Sequence, residues 1–288
     1  MAIGNFDTGR AVALGNSVAY AYHVYDVEAG NRDQFPLAAL PDGYAQVGEV
    51  FVNELLLSNA VPPSRLAAVK IGMDELINLN KPIGIIAASD SDVVLAFRGT
   101  QTGFEWIHNG EFLKTPFTFK DAEGADYTAG QAEAGFTSLY QGFTTGTQAG
   151  APRLMLTLRE AVLGKHLTIT GHSLGAALAT LAAMEAAVSL QGTMTGLSVL
   201  TFASPLVGDK TFAGLFDTLI PDSWRIANRP DIVTYLPPPF VGYSHVATEY
   251  PINSDHLTKH SEACWHALET YLFLLAPAQQ PLQSACRA

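Results

Sequence analysis

The chain has little cysteine, little charge and no long uninterrupted apolar run. Its two cysteines, Cys264 and Cys286, are too few for a disulfide scaffold, and no C-x-x-C pair suggests a metal knuckle. The plainer expectation is one core thiol and one thiol in a loose tail, with pairing as the alternative. Lys and Arg number 16 against 27 Asp and Glu, a net charge of −11. That balance argues against nucleic acid and anionic membrane surfaces as partners. It says nothing against neutral lipid or ester substrates. No stretch reads as a transmembrane segment. No basic N-terminal region precedes an apolar run, so no signal peptide is visible. Either the protein is not exported by that route or a signal has been removed, and the compartment stays open. No repeat, low-complexity tract or linker interrupts the chain. No cofactor and no metal is expected. What is abundant is apolar: 48% of 288 residues, enough for a sizeable core in one large α/β domain or two small ones.

The richest apolar region surrounds Gly171-His172-Ser173-Leu174-Gly175. His166-Leu167-Thr168-Ile169-Thr170 before it reads as a buried strand. Leu174 to Leu190 after it is alanine-rich and proline-free, which predicts a helix apolar nearly all round and therefore buried. A strand that turns within a residue or two into a helix strains the corner residue. Small residues two positions to either side let the two elements approach, and Gly171 and Gly175 fill those positions. The corner serine then projects from the sheet as a nucleophile elbow. A glycine-rich turn with a surface serine is the bland alternative, and it leaves so apolar a helix unexplained. The helix N-terminus beneath Ser173 favours negative charge of the kind a tetrahedral intermediate develops.

Elsewhere the pattern predicts a first helix over Thr8 to Tyr25, strands at 82–88 and 93–97, and a helix over Pro152 to Gly164. Strands at 197–202 and 224–228 flank a helix from Asp209 to Leu219. A short strand falls within 240–250, and a last helix runs from about Lys259 to Leu275. Ser64 to Asn78 reads as partly helical at best. The stretch from Glu49 to Leu57 reads equally as strand or helix, and 116–135 gives no clear pattern. Alternating strands and helices imply a largely parallel sheet covered on both faces. Ligands in such sheets bind beyond the carboxyl ends of the strands. Thr100, Ser173, Ser204 and Asp231 all fall at or just past such ends. Residues 101–115 carry Phe104, Trp106, Ile107, Phe112 and Leu113 among polar neighbours, a pattern that fits a lid or a fixed cover helix.

A serine hydroxyl needs a base, and the base needs an orienting carboxylate. In elbow hydrolases both follow the serine, acid first. That order leaves His245, His256, His260 and His266. His260 and His266 sit in a helical pattern, where packed or solvated histidines are common. His256 opens a loop, the usual place for the base, and is preferred over His245. Among the acids, Asp209 reads as a helix N-cap, Asp217 as a solvated mid-helix residue and Asp255 as a loop residue. Asp231, directly after a strand, is the best candidate. The backbone N–H of Leu174 should be one oxyanion donor, and Thr100 is placed for the other.

These pieces resemble one family, the class 3 (fungal-type) triacylglycerol lipases, which also includes feruloyl esterases. The similar stretches are Phe97-Arg98-Gly99-Thr100, Trp106-Ile107, Gly135-Phe136 and Thr170-Gly171-His172-Ser173-Leu174-Gly175-Ala176. They continue with Thr201-Phe202-Ala203-Ser204-Pro205, Val207-Gly208, Asp231-Ile232-Val233, Leu236-Pro237-Pro238 and Asp255-His256-Leu257. The resemblance implies a single α/β-hydrolase domain over 1–288 with a lid at about 101–113. It implies a triad of Ser173, Asp231 and His256, an oxyanion hole from Thr100 and Leu174, and a structural role for His245. It implies a triacylglycerol lipase acting at a lipid–water interface, with a feruloyl-type or other soluble esterase as the alternative and a catalytically silent ligand-binding hydrolase as a remote one. Three departures stand out. Glu133 occupies a position where the family often has histidine, the disulfide set of the fungal members is absent, and the stretch from Asp231 to His256 is short.

Overall fold

The computed structural model describes residues 6–31, 33–53, 56, 81–100 and 112–287. Ser64 to Asn78, and Phe104, Trp106 and Ile107 of the expected lid, lie outside the described residues.

The strands that read as continuous apolar runs form the centre of one 8-stranded sheet. β1 (Ala45–Val52), β2 (Gly84–Ala88) and β3 (Asp92–Phe97) are antiparallel neighbours. β4 (Lys114–Lys120) and β5 (Asp126–Glu133) pair as a separate hairpin. After α2 (Ala134–Gln141), the short β6 (Phe143–Thr144) closes the β1 edge. From β3 onward the sheet is parallel. It runs through β7 (His166–His172), β8 (Gly196–Phe202), β9 (Ser223–Asn228) and β10 (Thr248–Ile252). Strands buried on both faces favour apolar residues on both, which is why β3 reads as an apolar run from Val93 to Phe97 and β7 as an apolar and β-branched one.

Helices cover both faces. On one side α3 (Leu154–Ala161), α4 (Leu174–Ser189) and α5 (Lys210–Leu219) join α2 over a core that includes Leu95, Phe97, Ile169, Leu178, Leu181 and Phe212. On the other, α1 (Thr8–Ala29) and α7 (Leu268–Leu275) enclose Leu14, Val18, Ile85, Phe202, Ile226 and Tyr271. α4 is buried along nearly its whole length, as its composition requires.

Several boundaries differ from expectation for local reasons. α1 continues to Ala29 and stops at Gly30, which adopts φ 68° and closes the helix with its N–H. Of the undecided stretch from Glu49 to Leu57, residues 49–52 belong to β1; of the unpatterned 116–135, residues 116–133 lie in the β4–β5 hairpin and Ala134 and Gly135 open α2. The expected last helix is two, α6 (Glu262–His266) and α7, separated by Ala267 in an extended conformation, φ −56° and ψ 132°. Cys264 and Cys286 are joined in a disulfide, so the C-terminal tail is fastened beside α6 instead of ending in a free thiol.

Candidate active site

Ser173 follows β7 and precedes the first residue of α4. Its backbone adopts φ 59° and ψ −127°, a region that side chains other than glycine's rarely occupy. The strain is held by close packing on either side. A Cβ on Gly171 would lie 2.3 Å from the Gly175 carbonyl oxygen, and one on Gly175 would lie 2.4 Å from that of Arg98. Ser173 N–H donates to Phe202 O at 3.0 Å, tying the corner to β8. Leu174 opens α4, so its N–H has no partner within the helix.

The strand end opposite is fixed by Arg98, which is fully buried. Its Nε donates to Pro82 O at 3.0 Å and its Nη1 to Gly99 O at 2.8 Å, while the guanidinium lies 3.6 Å from the Tyr25 ring centroid. Burial lowers Arg98 to about 10, which still leaves it charged at neutral pH. A Cβ on Gly99 would lie 3.0 Å from Ser173 Cβ, so this loop touches the nucleophile, and Thr100 follows at once.

Asp231 sits just beyond β9, 1% exposed. Its Oδ1 accepts the Val233 N–H at 3.0 Å. Its Oδ2 accepts from His266 Nδ1 at 2.8 Å and from Tyr271 Oη at 2.6 Å. Tyr271 is in turn fixed by the Asn228 N–H at 3.1 Å, and burial together with Asp231 raises its hydroxyl well above the usual tyrosine range.

The imidazole brought to Asp231 is therefore that of His266 and not that of the expected His256. His256 is exposed in the turn after β10, at φ 64°, with its ring 6.2 Å from that of His260. The reason lies in the break at Ala267. In one continuous helix His266 would be an ordinary helical residue. The break instead ends α6 at His266, on the buried side and facing Asp231. Thr270 N–H donates to Ala267 O, so carbonyls at the end of α6 turn to side chains: Cys264 O to Thr270 Oγ1 at 2.6 Å and Trp265 O to Asn228 Nδ2 at 2.7 Å. Read as one helix, the segment puts His266 on a face with Glu262, Glu269 and Thr270, so the sequence carried no signal for it. Tyr271 carried none either.

Other candidates take structural places. His245 Nε2 donates to Thr234 O at 2.8 Å, bracing the 3-10 turn Ile232–Tyr235 that follows Asp231. Asp209 caps α5 through the Phe212 N–H, and Asp217 accepts the Ala247 N–H. Glu133 caps α2 by accepting the Phe136 N–H at 2.7 Å. Of the lid segment, Phe112 and Leu113 are described, and both carbonyls accept from Tyr243 Oη. Among the described residues no group of three or more His, Cys, Asp or Glu could hold a metal ion, and no helix is long and apolar enough to cross a membrane.

The sequence profile of Lipase (class 3) matches residues 94–241. Phospholipase A1-II 4 of Oryza sativa subsp. japonica is 32% identical over 217 residues, which cover 68% of this chain and 53% of that protein. Phospholipase A1-IIgamma of Arabidopsis thaliana is 32% identical over 212 residues, 65% of this chain and 49% of that protein. The chain thus spans about half the length of these relatives. Among solved structures, the Rhizomucor miehei lipase propeptide complex superposes with a TM-score of 0.59 at 20% identity, over 85% of this chain and 68% of that one. Lipase II from Rhizopus niveus gives 0.56 at 22% identity, over 86% and 82%. These two likenesses are of fold, the α/β-hydrolase fold.

Proposed function

The chain belongs to the class 3 lipase family, and from that premise we propose that it hydrolyses carboxylic esters of glycerolipids through an acyl-enzyme on Ser173. His266 is the base and Asp231 the orienting acid. The observation that carries this reading is the 2.8 Å contact of His266 Nδ1 with Asp231 Oδ2 beside a strained serine elbow.

With Nδ1–H committed to Asp231, His266 Nε2 takes the proton as Ser173 Oγ attacks the acyl carbonyl. The oxyanion that forms is met by the N–H groups of Leu174 and Thr100, with the Thr100 hydroxyl as an auxiliary donor. The tetrahedral adduct collapses as His266 returns the proton to the leaving alcohol. Water, activated by the same histidine, then releases the acid.

The names of the curated relatives favour the 1-acyl ester of a glycerophospholipid over a triacylglycerol. The net charge of −11 favours a zwitterionic or neutral surface over an anionic one. Residues 101–113, with Phe104, Trp106 and Ile107, are the lid of this reading. A fluorophosphonate probe should label Ser173, located by peptide mass. Phosphatidylcholine vesicles should be hydrolysed faster than emulsified triacylglycerol. Faster triacylglycerol turnover would restore the lipase reading, and preference for short or aromatic soluble esters would favour the esterase alternative. An unlabelled serine would refute the mechanism.

A further inference from the structure

Two buried residues outside the triad join the loop beside the nucleophile to the histidine. Gly99 N–H donates to Tyr22 Oη at 2.8 Å. The Tyr22 hydroxyl in turn faces His172 Nδ1 at 2.9 Å. His172 Nε2 lies 2.7 Å from the carbonyl oxygen of His266. A carbonyl only accepts, so Nε2 carries the proton and Nδ1 is the bare acceptor that Tyr22 fills. A single direction of donation, Gly99 to Tyr22 to His172 to His266, satisfies every group.

The surroundings hold this arrangement. Tyr22 and His172 are 5% and 4% exposed. Burial, with His266 alongside, keeps His172 well below the usual histidine range, so it stays neutral and its tautomer persists. A Cβ on Gly99 would lie 2.5 Å from Tyr22 Oη and 2.9 Å from His172 O, so the junction has no slack. The His266 carbonyl is available because the helix breaks at Ala267, where Thr270 N–H turns to Ala267 O. The residue that donates to this carbonyl, His172, immediately precedes Ser173.

We propose that Tyr22 and His172 are positioning residues that fix the Gly99–Thr100 loop and the His266 main chain in one register relative to Ser173. The proposal rests on the reading of Ser173 and His266 given above. Reacting groups must be held to within a fraction of an ångström, so a loosened register slows chemistry more than binding. A role in packing alone would survive Tyr22→Phe, which keeps the ring.

The test uses the whole chain, a soluble p-nitrophenyl ester, and a temperature well below each variant's melting midpoint. Tyr22→Phe is expected to lower kcat about ten- to a hundredfold with KM within about twofold. His172→Met is expected to lose at least as much. His172→Gln, whose amide still donates toward His266 O and accepts from Tyr22, should keep several-fold more kcat than His172→Met. The Tyr22→Phe/His172→Met double variant should be no worse than His172→Met alone, as for groups acting in one unit. Wild-type kcat in both single variants, equal kcat for Gln and Met at position 172, or losses that multiply would each overturn the proposal. If Tyr22→Phe does not fold, the His172 pair decides. Fluorophosphonate labelling of wild type separates the two readings. Without labelled Ser173 the hydrolase reading fails, and with it labelled and the variants fully active only the positioning proposal fails.

Discussion

His266 Nδ1 and Tyr271 Oη converge on the same oxygen of Asp231, at 2.8 and 2.6 Å. The other carboxylate oxygen is taken by the Val233 N–H at 3.0 Å. A carboxylate held from three directions cannot swing, so the plane of the His266 ring is set by the end of β9 and by α7 together.

His266→Ala should lower kcat/KM on a soluble ester by roughly four to six orders of magnitude, as loss of a triad member does. His256→Ala should leave it within about twofold, because that exposed ring is joined to neither Asp231 nor α6. Circular dichroism establishes that both variants fold. The reverse order of effects would return the base to His256.

Tyr271→Phe should have a smaller effect than any triad substitution. It strands the Asn228 N–H, 3.1 Å from the lost hydroxyl, and removes one donor from Asp231. A stability loss of about 1–2 kcal/mol is expected. A kcat loss of about tenfold should accompany it, against about ten-thousandfold for Asp231→Asn. Urea melts and steady-state kinetics measure the two effects separately. An equal kcat loss for Tyr271→Phe and Asp231→Asn would contradict the assignment of the orienting role to the His266–Asp231 pair.

Much of this site is legible in the sequence where chemistry forces local pattern. The elbow demands small residues on both sides of Ser173, and a buried parallel strand favours the apolar and β-branched run before it. Asp231 is legible because it directly follows a strand whose end faces the same rim. The base is not, because nothing local marks the helix break at Ala267. That break comes from tertiary bonds: Asn228 taking Trp265 O and His172 taking His266 O. Propensity over 259–275 predicts one helix, and tertiary contacts override it. The disulfide is illegible for a related reason, since it depends on where the tail docks. The hairpin over 114–133 hides because its strands bury alternate residues only partly and carry Pro116 and Gly130.

The Cys264–Cys286 bridge closes a loop of sequence separation 22 beside the helix that carries His266. Loop-closure entropy of that size corresponds to roughly 3 kcal/mol of stability. The tail also holds Lys259, whose N–H donates to Cys286 O at 3.0 Å. Cys286→Ser, or reduction of the wild type, should therefore lower the melting temperature by several degrees. The Cys264→Ser/Cys286→Ser double variant should melt with the reduced protein. A melting temperature unchanged by reductant, with free thiols verified, would show that the bridge adds nothing.

The last prediction concerns acid. His245 is braced against Thr234 O and lies among Arg225 and Glu249. Burial first, and then the Arg225 charge, lower it from the usual 6.5 to about 4. The unfolded chain therefore binds this proton more readily than the folded one. The stability it contributes is complete above about pH 6.5 and declines as pH falls toward 4, below which the folded form is protonated too. His172, also lowered by burial, acts in the same direction. For His245 alone the loss should be about 1–3 kcal/mol, since the residue is only half-buried and solvent screens part of the effect. Urea unfolding at pH 7, 6, 5 and 4.5 measures it. His245→Gln, which keeps a donor for Thr234 O without a titrating group, should flatten the decline between pH 6.5 and 4.5 while leaving the share due to His172. Parallel curves for wild type and His245→Gln would show that His245 carries its proton equally in both states.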